Sequence, residues 1–426
     1  MAGGSFVSKD KVIPGVYINF VSTKATVQSV GQRGYMALPL ALDYMPAGVT
    51  AITASEFNAN ALRMFGKGSS DVTLQAVREA FMNAKVVLLV SSNAGGTMAA
   101  STSYTAKQAG VVGNAISVVV QNALPDGYIM SVRFNGAEVE RFRAATLPGF
   151  KTEVVSDYIK IKEAVTLAVG TETLTGAVAG SETVSSYTAA LSALESEYWN
   201  TLACVSSTAT VTALVEAYIR RLRDEQGKKV TAVLHDYSCD YEGIVVLNAL
   251  NKKELVPWCA GALSAAPLNR SLTNTPVDGE ILETRRFTYA EMQTAITSGL
   301  FTLVPQGSTV RVLKDINSLK TFSENKGKQF SNNQVVRIID QIGNDILSVI
   351  SDSFIGVIPN DEEGRAALWN IVVTMLNDLQ SARAIQNFES SSVNIAQGES
   401  ADSVIINCAV QPVGAVEVIY MTVNVI

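Results

Sequence analysis

His235 and Asp236 are the one place in this 426-residue chain where an acid–base pair could be argued. A Ser-His-Asp hydrolase also needs a serine presented on a sharp turn, and no G-x-S-x-G occurs. We therefore read His235 as a loop or core histidine. Gly66-Lys67-Gly68-Ser69-Ser70 hints at a phosphate-binding loop, but Ala61 stands where that motif requires glycine. Gly110-Val111-Val112-Gly113-Asn114 reads as a turn, because neither a following helix nor a suitably placed acidic residue makes it a dinucleotide fingerprint. Cys204, Cys239, Cys259 and Cys408 form no C-x-x-C pair, and one histidine cannot complete a zinc set. They are expected to be reduced, mostly buried thiols. The small residues Ala260-Gly261-Ala262 and Ser264-Ala265-Ala266 imply a closely packed helix. No enzyme signature, cofactor site or metal site emerges.

Composition narrows the remaining classes. A net charge of −6 without a basic block argues against nucleic-acid contact as the main task. The longest aliphatic run, Val86 to Val90, is far short of the ~20 residues of a membrane span, so direct membrane insertion is not expected. Nor does Met1 to Ser5 follow the plan of a signal peptide. Charged residues make up only 17 % of the chain and hydrophobic ones 47 %. A free surface needs charge to remain monomeric, so much of this one is expected to be covered by other subunits.

The elements follow from periodicity and caps. Gly34 to Leu40 and Lys85 to Val90 read as buried strands of a parallel sheet. Between them, Ser55 is expected to cap a helix to about Phe65, and Asp71 another to about Asn83. Residues 92–104 read as a linker, followed by an all-β insertion to about residue 180. Its expected strands are 115–120, 128–134, 138–143 and 164–169, punctuated by Asn-Gly, Pro-Asp-Gly and Leu-Pro-Gly turns. An α/β pattern then resumes, with helices 187–198 and 208–226 and strands 199–205, 229–235 and 244–247. The last third carries helices 333–350 and 362–378 and strands 388–395 and 403–410.

Both ends of the chain look extended and apolar. Ile13 to Phe20 places Val16, Ile18 and Phe20 on one side. Ala415 to Ile426 places Ile419, Met421, Val423 and Val425 on one face, with Val416, Val418 and Tyr420 on the other. Such a terminal strand either completes the chain's own sheet or adds to a neighbour's by β-augmentation.

Several stretches, in this order along the chain, resemble the tail sheath proteins of contractile phages and phage-tail-like particles of Gram-positive bacteria. They are Pro14-Gly15-Val16-Tyr17-Ile18, Gly110-x-x-Gly113-Asn114-x-Ile116-Ser117, and Ala260-Gly261 with Asn269 to Asn274. Asp315 to Leu319, Phe330 to Asn333 with Arg337 to Asp340, and Ile419 to Val423 complete the set. The sequence departs from the family pattern at Ala109, where proline is usual, and at 176–180, where a Gly-Gly-Thr-Asp-Gly run is often found.

The resemblance implies an α/β multidomain fold. A central subtilisin-like α/β domain would carry an inserted β-sandwich and an α+β C-terminal domain, with extended N- and C-terminal β arms. On that basis 1–25 is the N-terminal arm, 26–97 the first part of the α/β core and 98–183 the inserted sandwich. Residues 184–325 form the subtilisin-like domain, 326–412 the C-terminal domain facing a tube, and 413–426 the C-terminal arm. The implied function is structural and needs no cofactor: stacked hexameric rings around a tail tube protein, bounded by baseplate and tail terminator proteins. Such a particle would be assembled in the bacterial cytoplasm. The arm residues would be Val16, Tyr17, Ile18, Phe20, Val416, Val418, Ile419, Tyr420, Met421 and Val423. Gly15, Ser22 and Gly414 would be hinges, and Lys326, Lys328 and Arg337 would face the tube. The competing classes are another self-assembling shell protein and an α/β hydrolase.

Overall fold

The computed structural model describes residues 33–324, 326–417 and 421, together with the strands Ala2–Gly4 and Gly15–Tyr17. Its centre is a seven-stranded sheet ordered 300–301, 244–247, 231–235, 201–203, 35–40, 86–91, 49–52. Every neighbouring pair is parallel except Val49–Ile52, which runs antiparallel on the edge against Val86–Ser91. Strands buried on both faces need apolar side chains at successive positions, which explains the runs Val-Val-Leu-Leu-Val and Ile-Val-Val-Leu. Alternate residues feed two different cores. Met36, Leu38, Val87, Leu89, Val233 and Val245 pack with Phe57, Trp258 and Leu263 on one face. Ala37, Leu88, Val90, Leu202, Leu234 and Val246 pack with Tyr187, Leu191, Val215 and Ile219 on the other.

Small residues set the closest approach between helices. Gly261, in the helix Val256–Ala265, lies where a Cβ would come within 2.7 Å of the Ala80 carbonyl oxygen on the helix Gln75–Phe81. Several boundaries differ from expectation, each for a local reason. The first helix, Ala54–Phe65, is capped by Thr53 rather than Ser55. Thr53 Oγ1 accepts the Glu56 amide and Glu56 accepts the Thr53 amide, a reciprocal capping box. Asp71 caps a 3-10 turn, Val72–Leu74, which leads into the helix Gln75–Phe81. The helix expected from Tyr187 runs Val184–Ala193, and the Trp199 indole then donates to the Leu194 carbonyl as the chain turns. The helix Ala209–Arg220 continues as one π-helical turn, Arg221–Glu225, before Gly227 at φ +74 ends it.

The insertion carries two sheets on one core. One is ordered 137–144, 128–134, 116–122, 170–173 and the other 159–161, 104–109, 98–100. Ile116, Val118, Met130, Val132, Tyr104, Phe150 and Ile159 fill the space between them. Residues 164–169 are not a strand. Lys151 Nζ takes the carbonyls of Glu163 and Val165, so a side chain rather than a ladder occupies the acceptors where that stretch begins. Residues 92–104 are not a loose linker either, because Asn93–Ala94 pairs with Ser181–Glu182 and zips entry to exit.

The Gly110 motif fastens this insertion. Asp43 accepts the amides of Val111 and Val112, and Asn114 both donates to and accepts from the Ala177 backbone. Gly110 itself has φ +127, and a Cβ there would collide with the Asp43 carbonyl. Gly110→Ala is therefore expected to cost about 1–3 kcal/mol of strain, measured by denaturant unfolding, with the neighbouring Val111→Ala as the mild control.

In the last third, the helices Asn333–Ser353 and Glu362–Ser381 pack through Ile338, Ile342, Leu368, Val372, Leu376 and Leu379. Two short antiparallel pairs lie beside them, 394–397 with 404–407 and 385–386 with 411–412. The former replaces the longer strands expected at 388–395 and 403–410, whose start is taken by the 3-10 turn Ser390–Ser392.

Candidate functional site

Three separate stretches meet at one fully buried carboxylate. Asp315 Oδ2 accepts the Leu272 amide at 2.9 Å, and Oδ1 accepts the Asn333 amide group at 3.0 Å. Arg337 Nη2 lies 3.5 Å from Oδ2 and donates to the Arg270 carbonyl at 2.7 Å. Burial pulls the Arg337 guanidinium below its ordinary pKa, and the Asp315 charge opposes that pull. The backbone closes the same knot, because Asp315 N donates to Thr273 Oγ1 and Asn333 N donates to the Asp315 carbonyl. Asn317 extends it, reaching the Phe330 carbonyl through its side chain and the Ser331 carbonyl through its amide.

The hub holds the root of the C-terminal segment. Gln334, fully buried in the first turn of its helix, donates to the Val413 carbonyl at 3.0 Å and accepts the Ala415 amide at 3.1 Å. Glu417 Oε1 accepts from Thr273 Oγ1 at 2.7 Å, and Glu417 Oε2 lies 3.7 Å from Lys314 Nζ. A second buried pair sits one turn further along the same helix. Arg223 Nη1 and Nη2 contact the two Asp340 oxygens at 2.6 and 2.8 Å. Burial would lower the Arg223 pKa, but the Asp340 charge outweighs it and holds the guanidinium above its ordinary value.

Arg337, expected to face a tube, is buried in the hub. Lys328 is exposed, and Lys326 pairs with Glu242 at 2.5 Å while lying over the Tyr241 ring. Within the described part of the C-terminal segment, Gln411–Pro412 is paired, whereas Ala415, Val416 and Glu417 form no strand. On either side of Gly414, expected as a hinge, the Val413 carbonyl and the Ala415 amide bond to Gln334. Val416 and Met421 are 82 and 81 % exposed. Gly15, expected as a hinge, is paired opposite Ala2 in a parallel strand that also contains Val16 and Tyr17. Ile18, Phe20, Ser22, Val418, Ile419, Tyr420 and Val423 lie outside the described residues.

His235 ends its strand, with Nε2 2.9 Å from the Asn251 carbonyl. The four cysteines are free, three of them buried, and burial pushes the Cys204 and Cys239 thiols up to about 11. Among the described residues, no group of three His, Cys, Asp or Glu could hold a metal ion, and no helix is long and apolar enough to cross a membrane. Reasoning along the chain missed Gln334, Glu417 and Lys314. Asp315, Asn333 and Arg337 were visible only as separate motif residues.

The family described as phage tail sheath protein central domain matches residues 180–318, and the phage tail sheath C-terminal domain matches 325–426. The phage-like element PBSX protein XkdK of Bacillus subtilis is 30 % identical over 474 aligned positions, covering 100 % of both chains. Among solved structures, the sheath tail protein of Listeria innocua superposes with a TM-score of 0.81 at 30 % identity, over 90 % of this chain and 93 % of that one. The helical sheath of the anti-feeding prophage in its contracted state shares the fold alone, with a TM-score of 0.55 at 13 % identity over 97 and 99 % of the two chains.

Proposed function

Because the chain belongs to the phage tail sheath family, we propose that it polymerises as stacked hexameric rings around a tail tube and contracts to drive that tube through a target envelope. The family is structural rather than enzymatic, and its relatives are components of tail-like particles. The observation that carries the reading is the match, at 30 % identity and over 90 % of this chain, to a sheath tail protein, with the fold shared by a contracted helical sheath. We take the seven-stranded sheet as the subtilisin-like domain and the two sheets on one core as the inserted β-sandwich. The region after residue 325 would face the tube, with Lys328 the best-placed basic residue.

In this reading the two chain ends are arms lent to neighbouring subunits. The two-stranded sheet 394–397 and 404–407 is a fitting acceptor, since Val404 and Ile405 are exposed and a two-stranded sheet leaves edges to pair. Contraction is then a rotation and outward movement of whole subunits with the mesh of strands intact. Its energy comes from a kinetically trapped extended state relaxing to one with more contact. The tube, baseplate and tail terminator proteins are the partners, assembly is cytoplasmic, and no cofactor takes part.

Negative-stain microscopy of the purified chain tests this. Hollow tubes in two lengths are expected, and His235→Ala should form the same tubes in the same yield. Closed shells or flat sheets would favour another self-assembling protein, and loss of assembly in His235→Ala would revive the hydrolase reading.

A further inference from the structure

The expected pivot of the C-terminal arm was Gly414, yet the chain is held on both sides of it. Val413 N donates to the Ala384 carbonyl at 2.9 Å, and its own carbonyl accepts from Gln334 Nε2. Ala415 N donates to Gln334 Oε1. One buried amide side chain thus supplies the donor and acceptor that a neighbouring strand would supply. Two residues on, Glu417 is fixed as well. The attachments fall at 413, 415 and 417, the period-2 spacing of an extended chain laid along one surface, while Val416 between them is exposed.

The hydroxyl of Thr273 is committed to this contact. Its lone pairs accept Asp315 N and Ser271 Oγ, and its single proton goes to Glu417 Oε1 at 2.7 Å. Lys314, next to Asp315, adds attraction from the other side at 3.7 Å. Glu417 is therefore bonded to the same knot that joins residues 270–274, 314–317 and the start of the helix Asn333–Ser353.

We propose that Gln334 and Glu417 are positioning residues which make the root of the C-terminal arm a fixed part of the subunit body through residue 417. This rests on the reading of the terminal segment as an arm. The direction in which each arm leaves its subunit is then set by the hub. In a polymer linked by arms, that direction decides where the next acceptor sheet is found. A load on the arm is borne by helix 333–353 and the two loops, not absorbed by a bend at Gly414.

The test uses the full chain carrying Glu417→Ala or Glu417→Gln, beside a chain ending at Glu417. Thermal unfolding, the subunit concentration needed for tube formation and the helical order of the tubes are measured together. Glu417→Ala should unfold like the parent but need about tenfold more subunit, the factor corresponding to one charge-assisted hydrogen bond, and give tubes of poorer helical order. Glu417→Gln keeps an acceptor for Thr273 but loses the attraction of Lys314, so it should fall between the two. Parental concentration and order in Glu417→Ala would overturn the proposal. If the chain ending at Glu417 forms no tubes, only the fixed root fails; if it too forms normal tubes, the arm reading itself fails.

Discussion

A chain ending at Glu417 is expected to fold, stay soluble as a subunit and form no tubes. The folded body supports the first half of that result. The core of the last third is built from Leu268, Ile338, Ile342, Leu368, Val372, Leu376, Leu379, Ile385 and Phe388, and the hub is complete at Glu417. Both are formed by residues up to 417. The second half follows from what those residues would contribute. They hold Ile419, Met421, Val423 and Val425 at alternate positions, and Met421 stands exposed in the single subunit. A strand of nine residues added to a neighbour's sheet makes several backbone hydrogen bonds, each worth about 0.5–1.5 kcal/mol net, besides its apolar burial. Losing that sum at every subunit junction takes polymerisation out of reach at any practical concentration. Sedimentation should show only subunits, with an unfolding midpoint matching the full chain. Normal tubes from the shortened chain would sink the arm reading.

What could be read along the chain was what is local or strictly periodic. Ile244 to Leu247 was placed correctly, and Lys85 to Val90 was shifted by one residue from the observed Val86–Ser91, because both-face burial leaves an unbroken apolar run. The helix starting at Asn333 was legible from its cap and its apolar stripe. The hub was not. Its bonds join residues 43, 81 and 144 positions apart, and no local signal marks Gln334 or Glu417 as partners of residues 413–415 or 271–273. Arg337 shows why. A charged residue early in an amphipathic helix reads as solvated, and only the tertiary placement of Asp315 and the Arg270 carbonyl makes it an interior group. The terminal stretch misled in the opposite direction: β-branched residues suggested a strand from 415, while its first backbone groups are taken by a helix side chain.

Asp340→Ala is expected to destabilise the folded chain by about 3–5 kcal/mol, because removing one member of a buried ion pair leaves its partner's charge uncompensated. Arg223 cannot escape to water. It belongs to the π-helical turn Arg221–Glu225, its Nη1 also donates to the Val230 carbonyl, and its aliphatic stem lies where a Cβ on Gly243 would collide. The loss also reaches Arg33, whose guanidinium is lowered to about 9 by burial and by Arg337, with Asp340 among the charges that oppose the shift. Removing Asp340 thus leaves three arginines sharing one region with less negative charge between them. Replacing both members by apolar side chains, Arg223→Met with Asp340→Leu, removes the buried charge along with its partner and should cost far less than Asp340→Ala alone. Denaturant unfolding of the two single variants and the double variant gives the coupling directly. A double variant as unstable as Asp340→Ala would mean that packing at this joint matters more than its charge. The pair spans the turn that follows helix 209–220 and the helix 333–353, so it fastens the sheet body to the helix that holds Val413 and Ala415. A subunit that moves as one body during contraction needs that fastening to hold. The same destabilised variant should therefore assemble poorly even at temperatures where it remains folded.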